Sequence, residues 1–221
     1  MAEASFVVTI DGPAASGKSS VSRELARRMG WNWVSTGAFY RGLAYVAHVN
    51  HVSLRDEEAL VQLAKSPVWS VRLAPEQTHV FLNQRDVTEE IGREDIGTLA
   101  SQISSFPRVR SALLDAQRKC AEGGRGLVAE GRDCGTIVFP RAQVKIFLTA
   151  RAEDRAARRA KEEGRDLDKT IHEQKRRDTQ DSTRKTAPLL ASADSLTIDT
   201  TQLTLEEVVG QVEILIRQQL A

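Results

Sequence analysis

Cysteine is scarce in this chain: Cys120 and Cys134 are its only two thiols in 221 residues. Two cysteines without ligand spacing make neither a disulfide framework nor a metal cluster, so a reducing, cytoplasmic setting is expected. The four histidines, His48, His51, His79 and His172, show no ligand spacing either. No apolar run approaches the ~20 residues of a membrane span, and no leader with a basic stretch, an apolar run and a cleavage site opens the chain. Formal net charge is only +1, which argues against a nucleic-acid or membrane partner recruited by a long-range field. Internal repeats and low-complexity linkers are missing too, and no long apolar surface helix calls for an obligate partner, so a monomer is expected.

What is present is 41% hydrophobic residues and 28% charged ones, the balance of a domain with a real core. Phe6-Val7-Val8-Thr9-Ile10 is β-branched and apolar with little alternation, as in a strand buried on both faces of a parallel sheet. A glycine-rich turn follows, and then Val21, Leu25 and Met29 mark one face of a helix closed by Gly30. Trp33-Val34 reads as a second strand, completing a βαβ unit. Thr36 or Ser35 is expected to cap a helix carrying Phe39, Leu43 and Val46, and Asp56 to Ala64 reads as a short helix. Val71 and Leu73, then Val80-Phe81-Leu82, suggest an antiparallel hairpin. Pro107 suits the first turn of a helix with Val109, Leu113 and Ala116 inward, running to Gly123-Gly124. Leu127-Val128-Ala129 and Val144 to Leu148 read as core strands, the charged stretch from Glu153 as a solvated helical pair, and Leu196 with Ile198 as a last strand. Thr204 and Glu207 form a capping box before a helix with Val208, Val212, Leu215 and Ile216 inward.

The decisive motif is Gly12-Pro13-Ala14-Ala15-Ser16-Gly17-Lys18-Ser19, which fits Gly-x4-Gly-Lys-Ser/Thr between a hydrophobic strand and an amphipathic helix. Glycines let successive N–H groups turn toward phosphate oxygens, and the helix adds its positive end. Lys18 supplies a mobile cation for the β- and γ-phosphates, and the Ser19 hydroxyl can ligate Mg²⁺. The expectation is a nucleoside triphosphate site.

Asn-Lys-x-Asp, the guanine signature of a GTPase switch, does not occur. The acidic residue nearest to a motor ATPase's second magnesium ligand is Glu130, directly after a core strand. Arginines spread along the chain favour a small-molecule kinase, because phosphoryl transfer needs cations around donor and acceptor phosphates and the guanidinium fork holds phosphate oxygens in pairs. The candidates are Arg41, Arg110, Arg132, Arg177 and Arg184, beside Tyr40, Ser101, Asp133, Asp178 and Asp181. Residue by residue, a kinase for UMP, AMP or a small alcohol stays open, as does a P-loop module that binds nucleotide for regulation.

Longer runs resemble the bacterial cytidylate kinase family over nearly the whole chain. They are Thr9-Ile10-Asp11-Gly12-Pro13, Thr36-Gly37-Ala38-Phe39-Tyr40-Arg41, Ala100-Ser101-Gln102, Phe106-Pro107-Arg108-Val109-Arg110, Glu130-Gly131-Arg132-Asp133-Cys134-Gly135-Thr136-Ile137-Val138-Phe139-Pro140, and Arg177-Asp178 through Asp181 and Arg184 to Ala187-Pro188-Leu189. The resemblance implies an α/β P-loop three-layer sandwich with a central parallel sheet. It implies a core of residues 1–35, 102–155 and 178–221, an acceptor-binding insertion at 36–101 that holds the small antiparallel sheet, and a helical lid at 156–177. It implies ATP with Mg²⁺ as phosphoryl donor, CMP and dCMP as acceptors, and direct in-line transfer. By that likeness the loop from Gly12 to Ser20 binds the ATP phosphates, and Ser19, with Glu130 as second candidate, holds the metal. Thr36, Tyr40, Arg41, Ser101, Arg110, Arg132, Asp133, Arg177, Asp181 and Arg184 hold CMP. Lys18, Arg132, Arg155, Arg158, Arg159 and Arg177 serve catalysis. In this chain Thr36 replaces a common Ser, Glu130 replaces an Asp found in several relatives, and the lid is short.

Overall fold

In the computed structural model, which describes residues 5–74, 76–164, 166–183 and 186–220, the apolar run Phe6–Asp11 forms β1 at the middle of the main sheet. The other strands of that sheet are β2 (Asn32–Ser35), β6 (Gly126–Gly131), β7 (Val144–Thr149) and β8 (Leu196–Asp199). They stand in the order β2-β6-β1-β7-β8, and every pairing is parallel. Successive side chains of a strand point to opposite faces, and the two faces carry separate cores. Val8, Ile10, Val128, Ile146 and Leu148 meet α1 (Lys18–Met29) and α9 (Leu205–Leu220) on one face. Val7, Leu127 and Ala129 meet α2 (Gly37–Val49) and α6 (Pro107–Lys119) on the other.

The second core does not stop at the sheet. It runs on through Phe39, Leu43, Leu60, Trp69 and Val80 into the segment that leaves the main sheet after β2. That segment contains α3 (Glu57–Ala64) and an antiparallel sheet of β3 (Trp69–Leu73), β4 (Thr78–Leu82) and β5 (Arg85–Asp86). Two helices, α4 (Thr88–Gly92) and α5 (Glu94–Ile103), complete it. The charged stretch is a helical pair, α7 (Ala152–Glu163) and α8 (Leu167–Thr183), so its helices extend past both ends of the expected lid at 156–177.

Several local expectations are corrected. Thr36 stands at the start of α2 without capping it, because its hydroxyl instead donates to the Glu130 carbonyl oxygen (2.9 Å). Helix α6 ends at Lys119 rather than at the glycine pair, and Gln117 is buried where Ala116 was expected, since Ala116 is exposed. The hairpin is one strand larger than expected, because Arg85-Asp86 is too short and polar to announce a strand. Helices α4 and α5 carried no reading in the sequence, and neither has a side-chain cap. After β6, residues Cys134–Val138 wind as a π-helix, a form that sequence patterns do not signal.

Because Leu43 is 0% exposed in a core shared by the sheet and the inserted segment, Leu43→Ala is expected to lower unfolding free energy by about 2–5 kcal/mol. Urea denaturation should show one transition at a lower midpoint; loss of only part of the signal would mean that the segment unfolds alone.

Candidate active site

Strand β1 is hydrogen-bonded to β6 in parallel, with Ile10 opposite Glu130 and Asp11 opposite Gly131. Two loops therefore leave the same sheet edge side by side: Gly12–Gly17 from β1, and the turn of Gly131, Arg132 and Asp133 from β6. In the first loop Gly12 has φ +150°, and a Cβ there would stand 2.1 Å from the Leu148 carbonyl oxygen, so only glycine fits. Ala15 and Gly17 also have positive φ, which bends the chain into a concave nest of amides. The Ser16 hydroxyl is buried there with no hydrogen-bond partner among the described residues. The Lys18 ammonium donates to the Pro13 carbonyl oxygen (2.5 Å).

Burial, with Arg132 nearby, pushes the Lys18 amine down to about 7. One residue on, the Ser19 hydroxyl donates to the Glu130 carboxylate (2.8 Å). The two residues expected to hold a metal are thus adjacent, and no group of three or more His, Cys, Asp or Glu among the described residues forms a dedicated metal cage. A hydroxyl plus one carboxylate is a donor set suited to hard Mg²⁺, which keeps most of its shell in water and phosphate oxygens.

Facing this loop across a cleft of about 300 Å³ stand Thr36, Tyr40, Arg41, Ser101, Arg110, Arg132, Asp133 and Asp181. Arg110 and Asp133 form a buried ion pair, with the Arg110 guanidinium 5.5 Å over the Tyr40 ring centroid. Arg132 Nε donates to Asp181 Oδ2 (2.8 Å). Arg41 Nη1 reaches the carbonyl oxygens of Ile91 (2.7 Å), Gly92 (3.1 Å) and Arg93 (3.0 Å), tying α2 to the end of α4.

The arginines of α7 separate. Arg159 lines the cleft and pairs with Glu94 of α5. Arg155 is 5% exposed and donates to the carbonyl oxygens of Ala150 (3.0 Å) and Ala14 (2.9 Å) and to Asp178 (2.7 Å). Arg158 turns away to the carbonyl oxygens of Thr200 (2.6 Å) and Thr201 (3.2 Å). Neither Arg155 nor Arg158 stands on the cleft wall, and Ser20 does not line it either. The side chain of Arg177, in α8, and the whole of Arg184 lie outside the described residues.

Sequence reasoning gave Asp11, Glu94 and Ser104 no role. Ser104 lines the cleft, and its carbonyl oxygen accepts from Arg110 (3.2 Å). Asp11 accepts from the N–H groups of Cys134 (2.9 Å) and Gly135 (2.7 Å). A carboxylate ending a buried apolar strand was the available signal for Asp11; Glu94 and Ser104 left none.

A family model described as Cytidylate kinase matches residues 8–218. A protein named Cytidylate kinase from Bdellovibrio bacteriovorus is 58% identical, over 94% of this chain and 95% of its own length. One of the same name from Azotobacter vinelandii is 48% identical, over 93% of each chain. Among solved structures, an uncharacterized protein from Eubacterium ventriosum superposes with a TM-score of 0.53 at 13% identity, over 96% of this chain and 98% of that one. The last likeness speaks for the fold alone.

The lowered Lys18 value has a measurable sign. Between pH 7 and the ordinary lysine value of 10.5 the folded chain binds fewer protons at Lys18 than the unfolded chain, so its contribution to stability rises with pH across that window. Phosphate oxygens brought against Lys18 would restore the proton. Nucleoside triphosphate binding at pH 8 is therefore expected to take up close to one proton, read by calorimetry in buffers of different ionisation enthalpy. Lys18→Met should abolish the uptake; equal uptake in both proteins would refute the assignment.

Proposed function

The chain belongs to the cytidylate kinase family, and on that premise we propose that its cleft transfers the γ-phosphoryl group of ATP to CMP or dCMP. CDP or dCDP and ADP are the products, in cytoplasmic pyrimidine nucleotide metabolism. The observation that carries this reading is one cleft with a phosphate nest and Lys18 on one side, and two arginine–carboxylate pairs on the other.

The amides of the loop from Gly12 to Ser20 bind the donor phosphates, and Lys18 neutralises the β- and γ-oxygens as charge moves during transfer. The buried Ser16 hydroxyl, without a hydrogen-bond partner among the described residues, supports the fit of a polyphosphate. Ser19 and Glu130 would hold Mg²⁺, which would supply further charge neutralisation at the phosphate oxygens. On the acceptor side, Asp133 accepts from the exocyclic amine of cytosine, and Arg110 or Arg132 donates to its N3 and O2. Such a site rejects UMP, whose carbonyl oxygen would meet the Asp133 carboxylate. Asp181 takes a ribose hydroxyl, and Arg177 with Arg184 holds the acceptor phosphate. Thr36, Tyr40, Arg41 and Ser101 shape the wall around it.

Arg159 swings from Glu94 to the phosphates as the lid closes, while Arg155 and Arg158 hold α7 to the sheet edge. The acceptor phosphate is already anionic, so in-line attack needs no general base. Catalysis rests on positioning and on exclusion of water, the competing acceptor.

The deciding experiment is a coupled ADP-release assay with MgATP against CMP, dCMP, UMP, AMP, GMP and dTMP. Turnover with CMP and dCMP is expected, and turnover confined to another monophosphate would refute the cytosine assignment. Lys18→Ala should lower kcat by at least about a hundredfold without unfolding the chain. Asp133→Ala should erode the kcat/KM preference for CMP over UMP while the KM for ATP changes little; an unaltered preference would remove Asp133 from base recognition.

A further inference from the structure

We infer that Asp11 is a positioning residue for the acceptor-reading turn, holding Asp133 and Arg132 in register with the phosphate loop. This inference rests on the acceptor role proposed for Asp133.

The turn after β6 has to aim two adjacent side chains into the cleft and then re-enter the core. It does so through the π-helix Cys134–Val138, with Asp133 at φ −146° and ψ 24° as its leading residue. The first amides of any helix lack partners within it, and buried amides must find them elsewhere. Here both come from one side chain. Asp11 Oδ1 accepts from Cys134 N–H (2.9 Å) and Oδ2 from Gly135 N–H (2.7 Å). Those two amides directly follow Asp133, so the carboxylate clamps the backbone on which Asp133 is mounted.

The surroundings leave the turn little freedom. A Cβ on Gly135 would come within 2.9 Å of Thr9 Oγ1 and 3.4 Å of Asp11 Oδ2. One on Gly131 would come within 2.4 Å of Thr36 Oγ1 and 2.7 Å of Cys134 Sγ. The turn is thus held close against Thr9 and Asp11 at its far end and against Thr36 at its start. The seat is costly: Asp11 is 5% exposed, and burial, opposed by the two amides but joined by repulsion from Asp133, raises its carboxyl to about 6. A carboxylate placed so expensively beside a second carboxylate is explained by what it orients. It also directly precedes Gly12, so one side chain joins the donor loop to the acceptor-reading turn.

The test is Asp11→Asn, which preserves shape but can satisfy only one of the two amides. One orphaned amide corresponds to roughly a tenfold effect. The KM for CMP is expected to rise about that much, the preference for CMP over UMP to fall, and the KM for ATP to rise less. The rise in the KM for CMP should exceed any fall in kcat, a split that a simple loss of stability would not produce. A folded Asp11→Asn enzyme with wild-type CMP affinity and base preference would overturn the inference, as would equal rises in both KM values. If Asp11→Asn does not fold, Gly135→Ala pushes the same turn away from the intact carboxylate. It should shift the KM for CMP in the same direction, and an unchanged KM there overturns the inference. Wild-type enzyme inactive toward CMP would refute the function itself, whereas an active wild type beside an unaffected variant refutes only the role of Asp11.

Discussion

The parallel pairing of β1 with β6 puts Asp11 opposite Gly131 and Ile10 opposite Glu130. A shift of one residue would turn every side chain of β6 to the other face and move Glu130 away from Ser19. With the register as it is, the phosphate nest and the turn of Arg132 and Asp133 rise from neighbouring strand ends. This is the crevice beyond the carboxyl ends of the strands where chain direction around the sheet reverses, the general location of ligands in open α/β sheets. The proposed donor and acceptor subsites are adjacent because two strands are.

That edge concentrates buried charge, and its stability depends on pairing. Arg110 with Asp133, both buried, offset a severe desolvation penalty, and part-buried Arg132 with Asp181 a smaller one. Buried pairs of this kind add little to stability compared with apolar replacements, so they are better understood as a cleft prearranged for a charged ligand. Lys18 is the exception: among the described residues its amine donates only to the Pro13 carbonyl oxygen, and burial lowers it to about 7. The negative charge of a phosphate bound in the proposed donor site would draw the proton back onto Lys18.

Apolar packing supports the edge from both faces. The α1 and α9 layer fixes the helix that follows the phosphate loop. The opposite core continues into the inserted segment through Leu43, Trp69 and Val80, so the cleft wall on that segment is anchored to the same sheet as the Gly12–Gly17 loop. Helix α7 is bound to that assembly by Arg155, which joins the phosphate-loop carbonyl of Ala14 to Asp178 of α8. Arg159 and Glu94 link α7 to α5 at the mouth of the cleft.

The phosphate loop, the strands at Phe6 and Val144, and the helix at Pro107 were legible in the sequence because each depends on neighbours a few residues away. Glycine at Gly12 and Gly17, apolar runs, and proline at a first turn act locally, and family runs such as Gly131-Arg132-Asp133 carried the substrate class. Other features had no local sign. The fates of Arg155, Arg158 and Arg159 differ although they share one helix, because their partners Ala14, Thr200 and Glu94 come from distant parts of the chain. Thr36 abandons its helix cap for a carbonyl 94 positions away. Asp11 finds two amides more than 120 residues later in the chain. Sequence by itself determined which backbone can turn, pair and bury; the tertiary structure alone decided which polar groups meet, since a hydrogen bond acts over about 3 Å of space whatever the separation along the chain.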